Sequence, residues 1–472
     1  MNTVSKKRDF TEGPLFFRIT LFALPIMLTG LLQVAYGMAD NIVVGKFSPD
    51  PNALAALGST GAINTMIINL LLGIAAGTGV VVSQFYGAKK YESVSKSVHT
   101  SMVISVIGGL LFMTLGLVLS RPALELLDTK EEIIDLATLY IRIVCIGVPA
   151  TSVYNFGASI LRATGNSRAP LFILGTTGLV NVALNLVFVI GFGMSVDGVG
   201  IATVVSQYLS AIAVVALLMK RRSEPYGLKL RSLAIDKAMM LRILKLGLPA
   251  GIQSSMFSIA NMVMINAINT FPTATVTGYT VATNIDGVVF TAMSGFGQAA
   301  MTFTGQNYGA RKPDRIKKSM LYSMLQELIV ATVVAAIEFI LMHQLIGLYV
   351  DDAKAEAEAI RAAASSIMAV MLLSMPVSAM QDSLSGILKG LGYSVFAMVS
   401  GLIGICGVRM VWIWCFFPME RFHNLGGLYL AFPISWGIAS LMMAVCACLA
   451  YRKLKIKFAK QEAIKEVPDR VE

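Results

Sequence analysis

The chain has 472 residues, 56% of them apolar, with a mean hydropathy of +0.72 and only 14% charged residues. Soluble domains carry about 25% charged residues, so this composition excludes a string of globular domains, and its hydrophobicity excludes intrinsic disorder. The formal net charge of +11 suits a nucleic-acid partner in size alone; where the charges lie decides against that below.

A helix crosses the hydrocarbon core with about 20 mostly apolar residues. Twelve segments of that kind follow one another, at 14–44, 53–84, 94–119, 133–160, 168–193, 198–219, 240–270, 276–307, 316–342, 356–388, 393–417 and 425–451. Turn chemistry separates them, as in Ser48-Pro49-Asp50-Pro51, Thr164-Gly165-Asn166 and Phe271-Pro272. The alternating ten-residue pattern of a membrane β-barrel is absent. The opening MNTVSKKRDFTEG lacks a signal-peptide core, so the first segment is expected to stay as a spanning helix.

With the N-terminus in the cytoplasm, 29 of the 38 Lys and Arg residues fall on the cytoplasmic side, 5 on the outer side, and 4 (Arg142, Lys245, Arg361, Arg409) within spans. This is the positive-inside pattern, and it puts both termini in the cytoplasm. It also removes nucleic acid as a partner, because the basic excess sits in short loops and a tail beside anionic inner-leaflet lipid. Cys145, Cys406, Cys415, Cys446 and Cys448 lie in apolar stretches without metal-ligand spacing and read as small buried hydrophobes. His99, His343 and His423 are far apart.

The sequence repeats itself. Phe17-Arg18-Ile19 with Leu24-Pro25 returns as Leu241-Arg242-Ile243 with Leu248-Pro249, 224 residues later. Ser83-Gln84-Phe85-Tyr86-Gly87-Ala88-Lys89-Lys90 returns as Gly305-Gln306-Asn307-Tyr308-Gly309-Ala310-Arg311-Lys312, 222 later, and Ile160-Leu161-Arg162-Ala163-Thr164-Gly165 as Ile387-Leu388-Lys389-Gly390-Leu391-Gly392, 227 later. Each copy holds six spans, so the copies share one orientation, related by an axis along the membrane normal. The expected fold is all-α and polytopic: twelve transmembrane helices in two six-helix bundles with a pseudo-twofold along the normal. The expected division is a first lobe over 1–219, a cytoplasmic linker over 220–239, a second lobe over 240–452 and a cytoplasmic tail over 453–472.

Ionisable residues within spans are costly and are functional candidates. At about 1.5 Å per residue Asp40 stands about 36 Å along span 1, in its outer half. Asn181 and Asn185 occupy one face of the outer half of span 5, and Thr203 lies in the first turns of span 6. One carboxylate, two amides and a hydroxyl therefore share a depth. Such hard oxygen donors suit an alkali cation, or tune a carboxylate that accepts a proton; a purely structural hydrogen-bond network is the competing reading. The positions 224 after Asp40 and 227 after Asn181 and Asn185 hold Met264, Val408 and Trp412, so the second half does not copy this site. Its own acid is Asp286 in Asn284-Ile285-Asp286-Gly287, which reads as a counter-charge for cationic substrates, a second proton site, or a structural partner of Arg409 or of a polar neighbour. Glu327, Glu338 and Asp382 are weaker candidates expected at wet helix faces. A cavity lined by Gln33, Tyr36, Asn64, Asn69, Gln253, Met256, Asn284, Asp286 and Gln298 offers an adaptable surface for apolar or cationic ligands. Pro25 is a kink position in span 1.

The Gln-x-Tyr-Gly-Ala-Lys/Arg-Lys ends of spans 2 and 8, Ile-Leu-Arg-Ala-Thr-Gly after span 4, and Asp40 in Met-Ala-Asp-Asn-Ile-Val-Val-Gly resemble the multidrug and toxic compound extrusion (MATE) transporters of bacteria, over about residues 14–452. The resemblance implies that Asp40, Asn181 and Thr203 match a cation or proton site of the first lobe. Asn185 stands where many members have Asp; the missing carboxylate tilts the expectation from Na+ toward H+. The resemblance further implies that Pro25 bends span 1 when Asp40 changes protonation.

The function expected on this basis is secondary antiport, H+ or Na+ inward against organic cations or amphipathic drugs outward. The transporter is expected to be a non-enzymatic monomer in the bacterial inner membrane, with lipid as its partner and no cofactor beyond the coupling ion. No nucleotide-binding phosphate loop appears. A flippase for lipid-linked oligosaccharides is the alternative within the superfamily, and a membrane-embedded enzyme the more distant one. Asp351-Asp352, the one pair suggestive of a metal-diphosphate enzyme, reads better as a solvated helix start beside Lys354 and Glu356.

Overall fold

The structure is a computed structural model that describes residues 9–350 and 356–466; Asp351, Asp352 and Lys354 lie outside the described residues. Among the described residues the regular elements are all helical. Twelve long helices run in chain order: α1 Leu15–Phe47, α2 Ala53–Gly87, α3 Tyr91–Leu126, α4 Glu131–Ala163, α5 Arg168–Gly191, α6 Val196–Lys220, α7 Lys237–Ile268, α8 Thr273–Gly309, α9 Pro313–Ile340, α10 Ala357–Gly390, α11 Ser394–Phe416 and α12 Leu425–Gln461. Eleven of them, all but α8, are long and apolar enough to cross a membrane. The exception has a physical cause: α8 is rich in Thr and Gly and carries Asn284, Asp286, Gln298, Gln306 and Asn307 along its 37 residues. A helix with that many polar groups is tolerated at membrane depth when protein covers it, and Asp286, Gln306 and Asn307 are all buried.

The repeat seen in the residues returns in the backbone. Lys89 and Arg311, 222 residues apart, have φ of 55° and 54°, and Gly165 and Gly392, 227 apart, have φ of 87° and 88°. In each case the next N–H reaches back to close the helix end: Lys90 to Phe85 O, Lys312 to Asn307 O, Asn166 to Leu161 O and Tyr393 to Leu388 O, at 2.8–3.1 Å. This is the left-handed cap that satisfies the last free carbonyls of a helix. Helix-interior prolines pair in the same way. Pro25 in α1 and Pro249 in α7 are mates, as are Pro149 in α4 and Pro376 in α10. Each removes one backbone donor from the ladder. Both α5 and α11 also lapse into π-helix, over Val187–Gly191 in the first and over Leu402–Gly407 and Trp412–Phe416 in the second.

The chain forms two compact units. Of the described residues, the first contains Asp9, Leu24–Tyr86 and Lys90–Ser255; the second contains Phe10–Ala23, Gly87–Lys89 and those from Met256 onward. Two of the unit boundaries fall inside helices, next to Pro25 in α1 and six residues past Pro249 in α7.

Within the first unit α3 packs on α4, α4 on α6, and α5 on α6; within the second α8 packs on α10, α9 on α8 and α10, and α10 on α12. Each unit has two apolar clusters with a polar belt between them. In the first unit, one cluster takes Phe156 and Leu161 of α4 with Val214 and Leu218 of α6. The other takes Ile134 and Ile141 of α4 with Val196 and Val199 of α6. Between them α5 and α6 present Thr177, Asn181, Asn185, Thr203, Ser206 and Ser210. In the second unit Ile316, Leu384 and Leu388 belong to one cluster and Ala331, Ala335 and Met375 to the other. Gln326, Glu327, Gln381 and Ser383 lie between.

Of the cysteines, Cys145 and Cys406 are buried as expected, whereas Cys415 and Cys448 face outward. An outward face on a spanning helix still meets hydrocarbon, which is why apolar surroundings in sequence did not translate into burial.

Helices α2 and α7 cross at two glycine pairs inside the first unit. A Cβ on Gly73 would lie 2.1 Å from Gly251 Cα, and one on Gly77 would lie 2.6 Å from Gly247 Cα. Both helices thus present Gly-x-x-x-Gly, the small-residue pattern that lets backbones touch in lipid. A Gly73→Val change forces two backbones apart and is expected to cost about 3 kcal/mol or more. Gly58, which has nothing within 4 Å of a built Cβ, is the control. Thermal melts in detergent should show a lower midpoint for Gly73→Val and an unchanged one for Gly58→Val; equal midpoints would contradict the crossing.

Candidate functional site

The first unit assembles its site from α1, α5 and α6. The missing side chain of Gly178 on α5 lets α1 approach. A Cβ on Gly178 would overlap Tyr36 Cε2 at 1.8 Å, and one on Gly175 would lie 3.7 Å from Leu32 Cδ1. The Tyr36 hydroxyl donates to Gly175 O at 3.0 Å. One turn further along α1 and two turns further along α5 the contact becomes polar: Asn185 Nδ2 donates to Asp40 Oδ1. Asn185 Nδ2 also reaches Asn181 Oδ1 at 3.4 Å, and Asn181 Nδ2 reaches Thr203 Oγ1 at 3.4 Å. The structure therefore brings Asp40, Asn185, Asn181 and Thr203 into one hydrogen-bonded chain across three helices. Asn185 is fully buried and Asn181 nearly so; Asp40 and Thr203 are half-buried. Asn185 Oδ1 has no hydrogen-bond partner, so it is an acceptor available beside the carboxylate. Tyr140 of α4 stands within electrostatic reach of Asp40, a neighbour that span counting did not select.

Asp40 has no basic partner. Ion pairs such as Lys96–Glu92, Arg121–Glu125 and Arg121–Asp135 lie on exposed side chains elsewhere. The carboxylate is instead met by an amide N–H, which stabilises charge without fixing it as a salt bridge would.

The second unit is organised differently. Asp286 is 1% exposed and neither carboxylate oxygen has a hydrogen-bond partner. It does not pair with Arg409, which disposes of that reading: the guanidinium donates to Asn261 Oδ1 at 2.7 Å and Ser435 Oγ at 3.2 Å. Its charged neighbour is Glu338 of α9. Glu327 and Glu338 correct a second expectation. They are 0% and 6% exposed, so neither lies at a wet helix face. Glu327 accepts from Ser383 Oγ and is hydrogen-bonded to Asp382, joining α9 to α10 in the polar belt. The hydropathy of a single span cannot report this, because i,i+4 spacing fixes a face of a helix but not what that face meets.

The residues proposed for a substrate cavity fall in both units. Gln33 and Asn284 are exposed; Tyr36, Asn64, Asn69, Met256 and Gln298 are half-buried; Gln253 and Asp286 are buried. Tyr36 is engaged by Gly175 and Gly178, so it braces α1 against α5 whatever else it contacts. Pro25 sits inside α1, where Thr29 Oγ1 bonds its carbonyl at 2.6 Å.

Comparison with known proteins agrees with this architecture. The MatE family model matches residues 25–187 and 249–415, one stretch in each half of the repeat. Among curated relatives, "Probable multidrug resistance protein YoeA" of Bacillus subtilis is 24% identical over 90% of this chain and 92% of its own length. "Multidrug export protein MepA" of Staphylococcus aureus is 24% identical over 84% and 86%. A solved multidrug resistance MATE transporter in its outward-facing conformation superposes with a TM-score of 0.86 at 21% identity, covering 95% of this chain and 99% of that one. With both matched stretches and a fold shared over nearly the whole length, the chain belongs to the MatE family of membrane transporters.

Proposed function

We propose that this protein is a secondary-active multidrug efflux antiporter of the bacterial inner membrane, with both termini cytoplasmic. The observation that carries the reading is the Asp40–Asn185–Asn181–Thr203 chain: an acid without a basic partner, held by neutral amides among membrane-spanning helices. An inward-moving cation discharges Asp40, and discharge weakens its bond to Asn185 and hence the hold of α5 on the outer half of α1. Pro25, which already interrupts the α1 ladder, is the point at which α1 would respond. Names of relatives such as multidrug export protein MepA support organic drugs as cargo.

The ligand count supports H+ as the coupling ion. Na+ wants several oxygens around it. Here the amide turns Nδ2 rather than Oδ1 toward the carboxylate, and Asn185 supplies no second charge. A proton needs only Asp40. The buried, unpaired Asp286 supplies a counter-charge for a cationic substrate in the second unit.

Everted vesicles carrying the protein should accumulate ethidium when a proton gradient is imposed, and Asp40→Asn should lower that transport at least tenfold; equal transport by mutant and wild type under both H+ and Na+ gradients would remove Asp40 from coupling. Asp286→Asn should weaken efflux of a permanently cationic dye by about tenfold and that of a neutral drug by less than twofold. Equal loss for the two classes would end its role as counter-charge.

A further inference from the structure

Arg409 is 4% exposed in the middle of α11, and no carboxylate among the described residues lies within ion-pairing distance of it. Its contacts are all neutral. Nη1 goes to Asn261 Oδ1 and Nε to Ser435 Oγ; the guanidinium carbon stands 4.1 Å above the Phe432 ring and 5.9 Å from that of Trp436. Two donors are used, and Nη2 is uncommitted. A positive charge held at membrane depth costs about 2.5–3.5 kcal/mol even on insertion scales, and neutral acceptors with two ring faces only partly offset that. Arg rather than Lys is the residue suited to meeting an oxyanion with two parallel N–H groups while stacking on aromatic rings.

The backbone around it is irregular. Arg409 lies in the four-residue α-helical stretch Val408–Val411, between π-helical Leu402–Gly407 and Trp412–Phe416. π-turns inside α-helices concentrate at functional sites. The repeat then gives the position a meaning. In the first unit α1 and α5 are bridged by Asp40 and Asn185. Their mates are α7 and α11, and these are bridged by Asn261 and Arg409. Arg409 comes one residue after the mate of Asn181, and Asn261 three residues before the mate of Asp40. The same pair of helices in each repeat thus carries one amide and one charge, negative in the first unit and positive in the second.

We propose that Arg409, with Asn261 holding it and Phe432 and Trp436 beside it, anchors a binding site for the carboxylate of an aromatic substrate. This rests on the efflux reading and adds to it a specificity-determining residue: the acid group of such a substrate is recognised by Arg409 in the second unit. Asn261 is a positioning residue in this scheme, since its amide oxygen fixes one edge of the guanidinium and leaves Nη2 for the ligand.

Tetramethylrhodamine, which carries a free carboxylate, and its methyl ester, which does not, form the test pair. Binding of each to the purified full-length protein is followed by fluorescence anisotropy. Arg409→Gln should weaken the carboxylate dye about tenfold or more, as expected for loss of a charge-assisted pair, while shifting the ester less than twofold. Asn261→Asp keeps the cation but gives it an internal partner; it should abolish the difference between the dyes without lowering the melting temperature, which covers the case in which Arg409→Gln fails to fold. Wild type that does not bind the carboxylate dye, or Asn261→Asp that weakens both dyes alike or neither, would overturn the proposal. Transport of the ester by everted vesicles is scored separately: its failure with the binding pattern intact would count against efflux and leave the anion site standing.

Discussion

The contact between Asn185 and Asp40 is the one on which the rest of the first unit depends. A carboxylate among spanning helices needs a donor, and lipid offers none. Every feature nearby serves to deliver that donor. Gly178 lets α1 come close, the Tyr36 hydroxyl locks the approach on Gly175 O, and Asn181 with Thr203 holds the Asn185 amide from behind. An amide partner suits a switch better than a basic one would. A salt bridge at this depth would be expensive to break, since losing one partner leaves an uncompensated charge. A hydrogen bond from a neutral group changes strength when the acid gains a cation, yet leaves no orphaned charge.

The second unit meets the same constraint with different residues. Its polar belt is closed by Glu327, Ser383 and Asp382 between two apolar clusters. Its buried ionisable groups Asp286 and Arg409 do not pair with each other: Arg409 is held by Asn261 and Ser435, and Asp286 has Glu338 as its ionisable neighbour. Two buried groups of opposite sign kept apart within one unit are poor choices for stability alone, because pairing or replacement by apolar residues would cost less. The repeat duplicated helices, caps and proline positions, while the charged side chains on those helices diverged.

Much of this was legible in the sequence, for physical reasons. Lipid demands long apolar helices, so span limits, repeat and family followed from hydropathy and motif order. Depth along a helix placed Asp40, Asn181, Asn185 and Thr203 together, because rise per residue is fixed. What pairing adds was not legible. Asp286 and Arg409 are both in-span ions of opposite sign, and only packing reveals that Asn261 and Ser435 occupy the arginine instead. Glu327 gave no periodic signal for burial, since the face of α9 that carries it meets Asp382 and Ser383 of α10, the latter 56 residues further along the chain. The π-turns in α5 and α11 leave no mark in composition. Polar α8, hardest to identify as a span by hydropathy, is covered at Asp286, Gln306 and Asn307 by protein rather than lipid.

The central claim is that Asp40 holds the ion that is exchanged for cargo. Proton release from purified transporter on addition of ethidium, read with a pH dye in weakly buffered detergent solution, tests it most directly. The account predicts about one proton released per transporter for wild type and none for Asp40→Asn that still binds the dye. Equal release from both proteins would contradict it.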